Sequence, residues 1–98
     1  MILKLSGVGN PDLQQYVDVS EPCILEVGSF AEASIKTLEY IREWNLGGGN
    51  LVADIFDKRE NGRQIAHVSY NGRVWKNAGG MNGKLLYQPP ERNHEQRQ

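Results

Sequence analysis

The sequence predicts an α+β fold: an antiparallel sheet of four or five strands, with one main helix at about residues 29–46 packed on one face. Three observations support this prediction. A capped stretch with apolar residues at helical spacing ends in three glycines at 47–49. Short runs rich in β-branched and aromatic residues lie on both sides of it. Asn71-Gly72, a dipeptide typical of β-hairpins, connects two of these runs.

The N-terminal part predicts two strands and a segment whose conformation stays open. Residues 1–8 alternate weakly and are rich in Ile, Leu and Val, which favours a first strand. Residues 11–19, after the break at Asn10-Pro11, fit either a short helical turn or a strand. Residues 23–27 follow Pro22 and indicate a second, short strand.

The main helix has clear start and stop signals. Ser29 and Glu32 have the spacing of a capping box, in which each side chain satisfies a backbone donor at the helix start. We expect the glycines at 47–49 to end the helix, because glycine readily takes the left-handed conformation of a C-terminal cap. The apolar stripe expected to face the sheet consists of Ala31, Ile35, Leu38, Ile41 and Trp44 or Asn45.

The following residues predict a three-strand meander. Residues 51–56 and 63–70 flank a polar turn closed by Asn61-Gly62. Asn71-Gly72 favours a two-residue type I′ turn, which would place Val68 opposite Trp75. In that register the residues that share the helix-facing side are Ala66, Val68, Tyr70 and Trp75.

The C-terminal part shows weaker patterns. Residues 77–83 are rich in glycine and asparagine and read as a loop, and residues 85–87 form a short apolar anchor that fits an edge strand. We expect residues 1–87 to form a single domain. Residues 88–98 are polar and begin with prolines, so we expect a disordered tail.

Size and composition exclude several protein classes. A chain of 98 residues has the length of one domain and too small a core to enclose a large cofactor. Cys23 is the only cysteine, which excludes an intramolecular disulfide and a cysteine-rich zinc site. No apolar run approaches the roughly 18 residues that a membrane span requires. We therefore expect a cytoplasmic protein with no cofactor and no contact with a membrane.

Catalytic motifs are also missing from the sequence. His67 and His94 are the only histidines, too few for a zinc site, and no carboxylate partner for His67 is evident. Gly7-Val8-Gly9 lacks the third glycine of a dinucleotide-binding fingerprint. We predict that the protein is not an enzyme and has no catalytic, cofactor-binding or metal-binding residues.

Positive charge and aromatic rings concentrate in the C-terminal half. Residues 1–57 carry three basic and nine acidic side chains, whereas residues 58–98 carry eight basic and three acidic ones. Aromatic rings interleaved with cations can bind nucleic acids, and Trp, Tyr and Arg equally favour protein-binding hot spots. The same rings could also belong to the core. The predicted partner-binding residues are Tyr70, Asn71, Arg73, Trp75, Lys76 and Arg63.

Four segments, Phe30–Ser34, Tyr40–Arg42, Leu46-Gly47 and Val68–Trp75, resemble small uncharacterised proteins encoded by phages, plasmids and other mobile elements. The Val-Ser-Tyr-Asn-Gly-Arg-Val-Trp hairpin is the most specific part of this resemblance. The resemblance implies no activity. It implies a context in which small α+β proteins bind and block a host complex, as anti-CRISPR proteins do.

Three functions are compatible with these observations. The first is a non-catalytic protein-binding module, for which an inhibitor of a host complex is one form. The alternatives are a nucleic-acid-binding accessory protein that uses the basic C-terminal half, and a small enzyme whose site forms between the subunits of a homodimer. We expect a protein partner, with a nucleic acid or a second copy of the chain as the other possibilities.

Overall fold

A computed structural model describes residues 1–9, 20–78 and 81–90 of the chain. The elements within these residues are β1 (Ile2–Gly7), β2 (Cys23–Glu26), α1 (Phe30–Trp44), β3 (Leu51–Phe56), β4 (Gln64–Val68), β5 (Val74–Ala78) and β6 (Met81–Tyr87). One helix and an antiparallel sheet confirm the predicted α+β class. Residues 11–19, for which the sequence left helix or strand open, lie outside the described residues.

The strands of the described residues form one antiparallel sheet in the order β2-β1-β3-β4-β5-β6. These six strands exceed the four or five that the sequence predicts. The difference lies at residues 77–83, which read as a loop although β5 continues to Ala78 and β6 begins at Met81. Strand pairing depends on backbone hydrogen bonds, so a sequence rich in glycine and asparagine can still pair.

The core lies between α1 and one face of the sheet. Leu3 on β1 lies opposite Ile55 on β3, and Ile55 lies opposite Ala66 on β4. Opposite residues of paired strands share a face, so these side chains form one continuous apolar surface. The buried residues of this surface are Leu3, Leu5, Ala53, Ile55, Ala66, Val68 and Val74.

The two ends of α1 differ in how well the sequence predicts them. Ser29 Oγ accepts a hydrogen bond from the Glu32 backbone N–H at 3.1 Å, which confirms the predicted N-cap. Asn45, rather than one of the glycines at 47–49, takes the left-handed conformation at the C-terminus, with φ at 52°. Asparagine tolerates this conformation because its short polar side chain can form local hydrogen bonds.

The face that α1 turns to the sheet is made of small and polar residues. Ala33, Ser34, Thr37 and Tyr40 are buried, whereas Ile35, which the predicted stripe places in the core, is 53% exposed. Small side chains let the helix lie close to a sheet that supplies the larger apolar groups. The Thr37 hydroxyl donates to the Ala33 carbonyl at 2.7 Å, so burying it leaves no unpaired donor.

Tyr40 joins the C-terminal half of α1 to the segment before β2. Its hydroxyl donates to the Glu21 carbonyl and shares a hydrogen bond of 2.7 Å with Ser20 Oγ. Burial raises the pKa of Tyr40, because an ionised phenolate would lose its hydration there. This contact fixes the rotation of α1 and places the aromatic ring, rather than Ile35, against the core.

The hairpin between β4 and β5 has a three-residue loop, so the predicted two-residue type I′ turn is wrong. The Gly72 N–H donates to the Ser69 carbonyl, and the Ser69 N–H donates to the Arg73 carbonyl, both at 2.8 Å. Within this fully described loop only Gly72 has a positive φ, at 89°. A turn followed by a left-handed glycine is a common three-residue hairpin loop.

The longer loop shifts the register by one residue and moves Trp75 to the other face of the sheet. Val68 pairs with Val74, and His67 pairs with Trp75. Val74 is therefore the core residue, and it is fully buried. The prediction that Ala66 and Val68 face the helix is confirmed, whereas the prediction that Trp75 joins them is wrong.

The hairpin loop packs directly on α1. Ser34 Oγ donates to the Gly72 carbonyl at 2.7 Å. A Cβ atom on Gly72 would lie 3.0 Å from Leu38 Cδ1, 3.1 Å from Ser34 Oγ and 3.2 Å from Pro89 Cγ. Pro89 belongs to the segment that the sequence predicts as a disordered tail. Residues 88–90 of that segment are described, and residues 91–98 lie outside the described residues.

We expect Gly72→Ala to lower the free energy of unfolding by at least the roughly 1–2 kcal/mol that a left-handed conformation costs an L-residue. The added methyl group would also crowd Leu38. Gly48→Ala is the matched control, because its methyl group would lie 3.7 Å from the nearest atom of Tyr70, an ordinary contact. Urea unfolding followed by circular dichroism measures both variants. Equal midpoints for Gly72→Ala and the parent would contradict the close contact between loop and helix.

Candidate functional site

A groove with a volume of about 970 Å³ lies between α1, the β4–β5 loop and the segment that follows β6. Its helical wall consists of Ser34, Ile35, Leu38, Ile41 and Arg42. Residues three and four apart lie on one side of a helix, so these side chains line a single continuous wall. Ile35 stands at the solvent side of this wall with half of its surface exposed.

The opposite wall combines two tyrosines with a pair of prolines. Tyr70 extends from the hairpin loop, and its hydroxyl donates to the Leu46 carbonyl at 2.9 Å. Gly48 lies beside the ring of Tyr70. Tyr87 at the end of β6 and Pro89-Pro90 complete the wall. Tyr70 is thus fixed by the loop at one end and by a hydrogen bond at the other.

Asn71 shapes the loop from which Tyr70 extends. Its Oδ1 atom accepts hydrogen bonds from the Arg73 backbone N–H at 3.1 Å and from Ser69 Oγ. Asn71 also lines the groove, and it is exposed. Arg73 is half-buried at the base of the loop. These two local hydrogen bonds, one to the backbone and one to a side chain, hold the loop in one conformation.

The groove contains little charge. Among the described residues that line it, Arg42 alone carries a formal charge. Arg42 is exposed, and within the described part of the chain the structure shows no ion pair for it. Lys36 and Glu39, on the same helix, pair with each other at 3.8 Å. The groove therefore combines apolar walls with a single positive charge.

The face of the sheet that α1 does not cover carries a row of polar neighbours. Lys4 lies opposite Asp54, and Asp54 lies opposite His67. His67 lies opposite Trp75, whereas the predicted register, with Val68 opposite Trp75, would place it opposite Lys76. No carboxylate partner for His67 is evident in the sequence, and the strand pairing corrects this by placing Asp54 opposite it. The register of β3 and β4 therefore brings a carboxylate beside an imidazole.

Side-chain hydrogen bonds connect this acid–imidazole pair to its surroundings. Gln64 Nε2 donates to Asp54 Oδ1 at 3.1 Å, and His67 Nδ1 lies 3.0 Å from Asn77 Oδ1. The Lys4 ammonium lies over the ring of Phe56, 4.5 Å from its centroid. Within residues 1–9, 20–78 and 81–90, no group of three or more His, Cys, Asp or Glu side chains could hold a metal ion.

The six predicted partner-binding residues do not form a single surface. Tyr70 and Asn71 line the groove. Trp75 is half-buried on the opposite face of the sheet, where its Nε1–H donates to Ser69 Oγ at 3.1 Å. Arg63 is exposed just before β4, at the end of the sheet away from the hairpin loop, and Lys76 is exposed in the middle of β5, opposite Ala66. The hairpin therefore divides the predicted site between two faces.

The helical half of the groove was not predicted from the sequence. The predicted stripe places Ile35 in the core, because the larger apolar residues of α1 recur at helical spacing. A second stripe at the same spacing, Ala33, Thr37 and Tyr40, is the buried one, whereas Ile41 and Trp44 of the predicted stripe pack against the core while remaining partly exposed. This second stripe was a readable signal, but hydrophobicity alone favours the first. Arg42 had no signal of its own, since its role depends on which stripe faces the sheet.

The stability of the fold should respond to the ionisation of Asp54. Burial is the main cause of its raised pKa, and His67 and the Gln64 hydrogen bond act in the opposite direction. The folded chain then binds this proton more tightly than the unfolded chain does. Stability attributable to Asp54 is therefore present at low pH and is lost as the pH rises through the window that begins near the ordinary carboxyl pKa of about 3.9.

We expect Asp54→Asn to raise the urea midpoint at pH 7 and to have no such effect below about pH 3, where the carboxyl group is protonated in both states. Glu43→Gln, an exposed position on α1, controls for the loss of one negative charge. Urea unfolding at a series of pH values measures the three proteins. A gain for Asp54→Asn that stays the same at all pH values would contradict this assignment.

None of the helical residues within the described part of the chain forms a stretch long and apolar enough to cross a bilayer. Comparison with protein-family models, with curated proteins and with solved structures finds no match.

Proposed function

We propose that this chain is a protein-binding module that works without catalysis and holds its partner in the groove between α1 and the hairpin loop. The observation that carries the proposal is the exposure of Ile35, at 53%, on a groove wall shared with Leu38 and Ile41. Concave, mostly apolar surfaces with a few polar groups are the usual form of binding sites. Clustered apolar side chains in such a position mark interaction surfaces.

The walls of the groove are held in place by contacts within the chain. The hydrogen bond between Ser34 and Gly72 fixes the loop to the helix, and the hydrogen bond between Tyr70 and Leu46 fixes the tyrosine wall. A preorganised site loses less conformational entropy when a partner binds. Tyrosine and arginine, which the groove also contains, are among the residues enriched at protein-binding hot spots.

The proposal of a non-catalytic role draws support from the position of the acid–imidazole pair. Asp54 and His67 lie on the face of the sheet that α1 does not cover, whereas the groove lies on the helix side. A partner held in the groove would not reach them. The resemblance to small proteins of mobile elements supports a host complex as the partner, with inhibition as the result of covering part of its surface.

We expect Ile35→Gln to weaken partner binding about tenfold, equivalent to about 1.4 kcal/mol, because it removes apolar area from the groove. Ile24→Gln is the matched control, since Ile24 on β2 is 50% exposed at the far edge of the sheet. Tagged parent and variant proteins are used to capture proteins from nuclease-treated host lysate, and the affinity for the recovered protein is then measured by calorimetry.

The supporting outcome is a protein that the parent and Ile24→Gln capture and that Ile35→Gln loses. If Ile35→Gln, shown to be folded by its urea midpoint, retains every partner of the parent with unchanged affinity, the groove is not the binding surface.

A second candidate function, nucleic-acid binding, is favoured by the way the topology gathers cations. β3 ends, β4 begins, β5 ends and β6 begins at the same end of the sheet. Exposed cations within three residues of these strand ends are Lys58, Arg59, Arg63, Lys76 and Lys84. The described part of the chain shows no ion pair for them. Long basic side chains at one end of a sheet can neutralise neighbouring phosphates.

If this end binds phosphates, replacing Lys76 and Lys84 together by glutamine should reduce the slope of log affinity against log salt by about two. Lys36→Gln is the control, because Lys36 lies on α1 and pairs with Glu39. Fluorescence anisotropy with a labelled single strand and a labelled duplex measures the slopes. An absence of binding to both probes at low salt would remove this candidate.

A further inference from the structure

We propose that the groove accepts a short extended protein segment whose apolar side chains fill it and whose carboxylate pairs with Arg42. This inference rests on the proposed function and adds the chemistry of the partner.

The carboxylate follows from the charges of the groove. Arg42 is the one charged side chain among its described lining residues, and the described part of the chain shows no ion pair for it. The nearby Glu39 already pairs with Lys36. A guanidinium pairs best with a carboxylate, through two parallel hydrogen bonds. A cationic ligand would find no counter-charge among the described lining residues.

The length of the groove suits a few residues of extended chain. Ser34 and Arg42 lie eight positions apart on α1, a rise of roughly 12 Å at about 1.5 Å per residue. An extended chain covers that length with about four residues. Gly72 and Pro89 close the Ser34 end. The Arg42 end lies one turn before Leu46, which holds the hydroxyl of Tyr70.

The order of the lining residues along the groove predicts the orientation of the bound segment. Ile35, Leu38 and Ile41 form the apolar part of the helical wall, and Arg42 is its last residue toward the Tyr70 end. Apolar side chains of the segment should therefore lie toward Ser34, and its carboxylate toward Tyr70. A phosphate fits less well than a carboxylate, because the Ser34 hydroxyl already donates to Gly72 and Arg42 is left as the one cationic donor of the described wall.

A displayed library of random linear peptides tests the inference. The library is selected on the parent protein and depleted on Ile35→Gln, so that the enriched peptides depend on the groove. We expect these peptides to contain apolar residues and one Asp or Glu. For the strongest peptide, replacing that acid by its amide should weaken binding to the parent about tenfold. Binding to Arg42→Gln should be nearly insensitive to the same replacement.

Arg59→Gln is the matched control, because Arg59 is exposed between β3 and β4 and is not among the lining residues of the groove. It should keep the preference of the parent for the acidic peptide. Groove-dependent peptides without an enriched acid, or an acid whose effect survives in Arg42→Gln, would overturn the carboxylate inference and leave the proposed binding function intact. A failure to enrich any peptide that depends on Ile35 would overturn both.

Discussion

The hydrogen bond from the Ser34 hydroxyl to the Gly72 carbonyl is the contact on which the rest of the molecule depends. It joins the middle of the helix to the tip of a hairpin that is distant in sequence. The contact requires a small buried side chain on α1 and a residue without Cβ in the loop, since Leu38 and Pro89 close the remaining space. The groove exists because this hydrogen bond holds the hairpin loop against α1. Tyr70 then becomes its second wall.

The length of the same loop decides which residues belong to which face of the sheet. Successive side chains of a strand alternate between the two faces, so one additional loop residue exchanges the faces of everything that follows. Val74 consequently enters the core and Trp75 leaves it. The exchange also places His67 opposite Trp75, whereas the predicted register would place it opposite Lys76. A single left-handed glycine therefore determines both the core and the chemistry of the open face.

Local signals predicted what depends on neighbouring residues alone. The Ser29 cap, the strand over residues 51–56 and the inward direction of Ala66 and Val68 were all predictable from short patterns. The loop type was not, because an Asn-Gly pair suits a two-residue turn and also the end of a three-residue loop.

Hydrophobicity also failed to predict which stripe of α1 is buried, and the reason is different. Large apolar residues on the sheet already fill the core, so the helix contributes small ones, and which stripe packs depends on the partners of Tyr40 and Ser34. Those partners are distant in sequence. The Tyr40 hydroxyl donates to the Glu21 carbonyl, and the Ser34 hydroxyl donates to the Gly72 carbonyl. The candidate site inherits this dependence, since Ile35 and Arg42 line the groove only for the observed rotation of α1.

The two exposed isoleucines show why the groove, rather than exposed apolar surface in general, points to function. Ile24 lies on an edge strand, where a β-branched residue is favoured by the strand itself, so its exposure has a local explanation. Ile35 lies in the interior of a helix, where lysine and glutamate have a higher helix propensity than isoleucine. Folding gives no reason for an isoleucine at this position, because half of its surface remains in water. Contact with a partner would supply that reason.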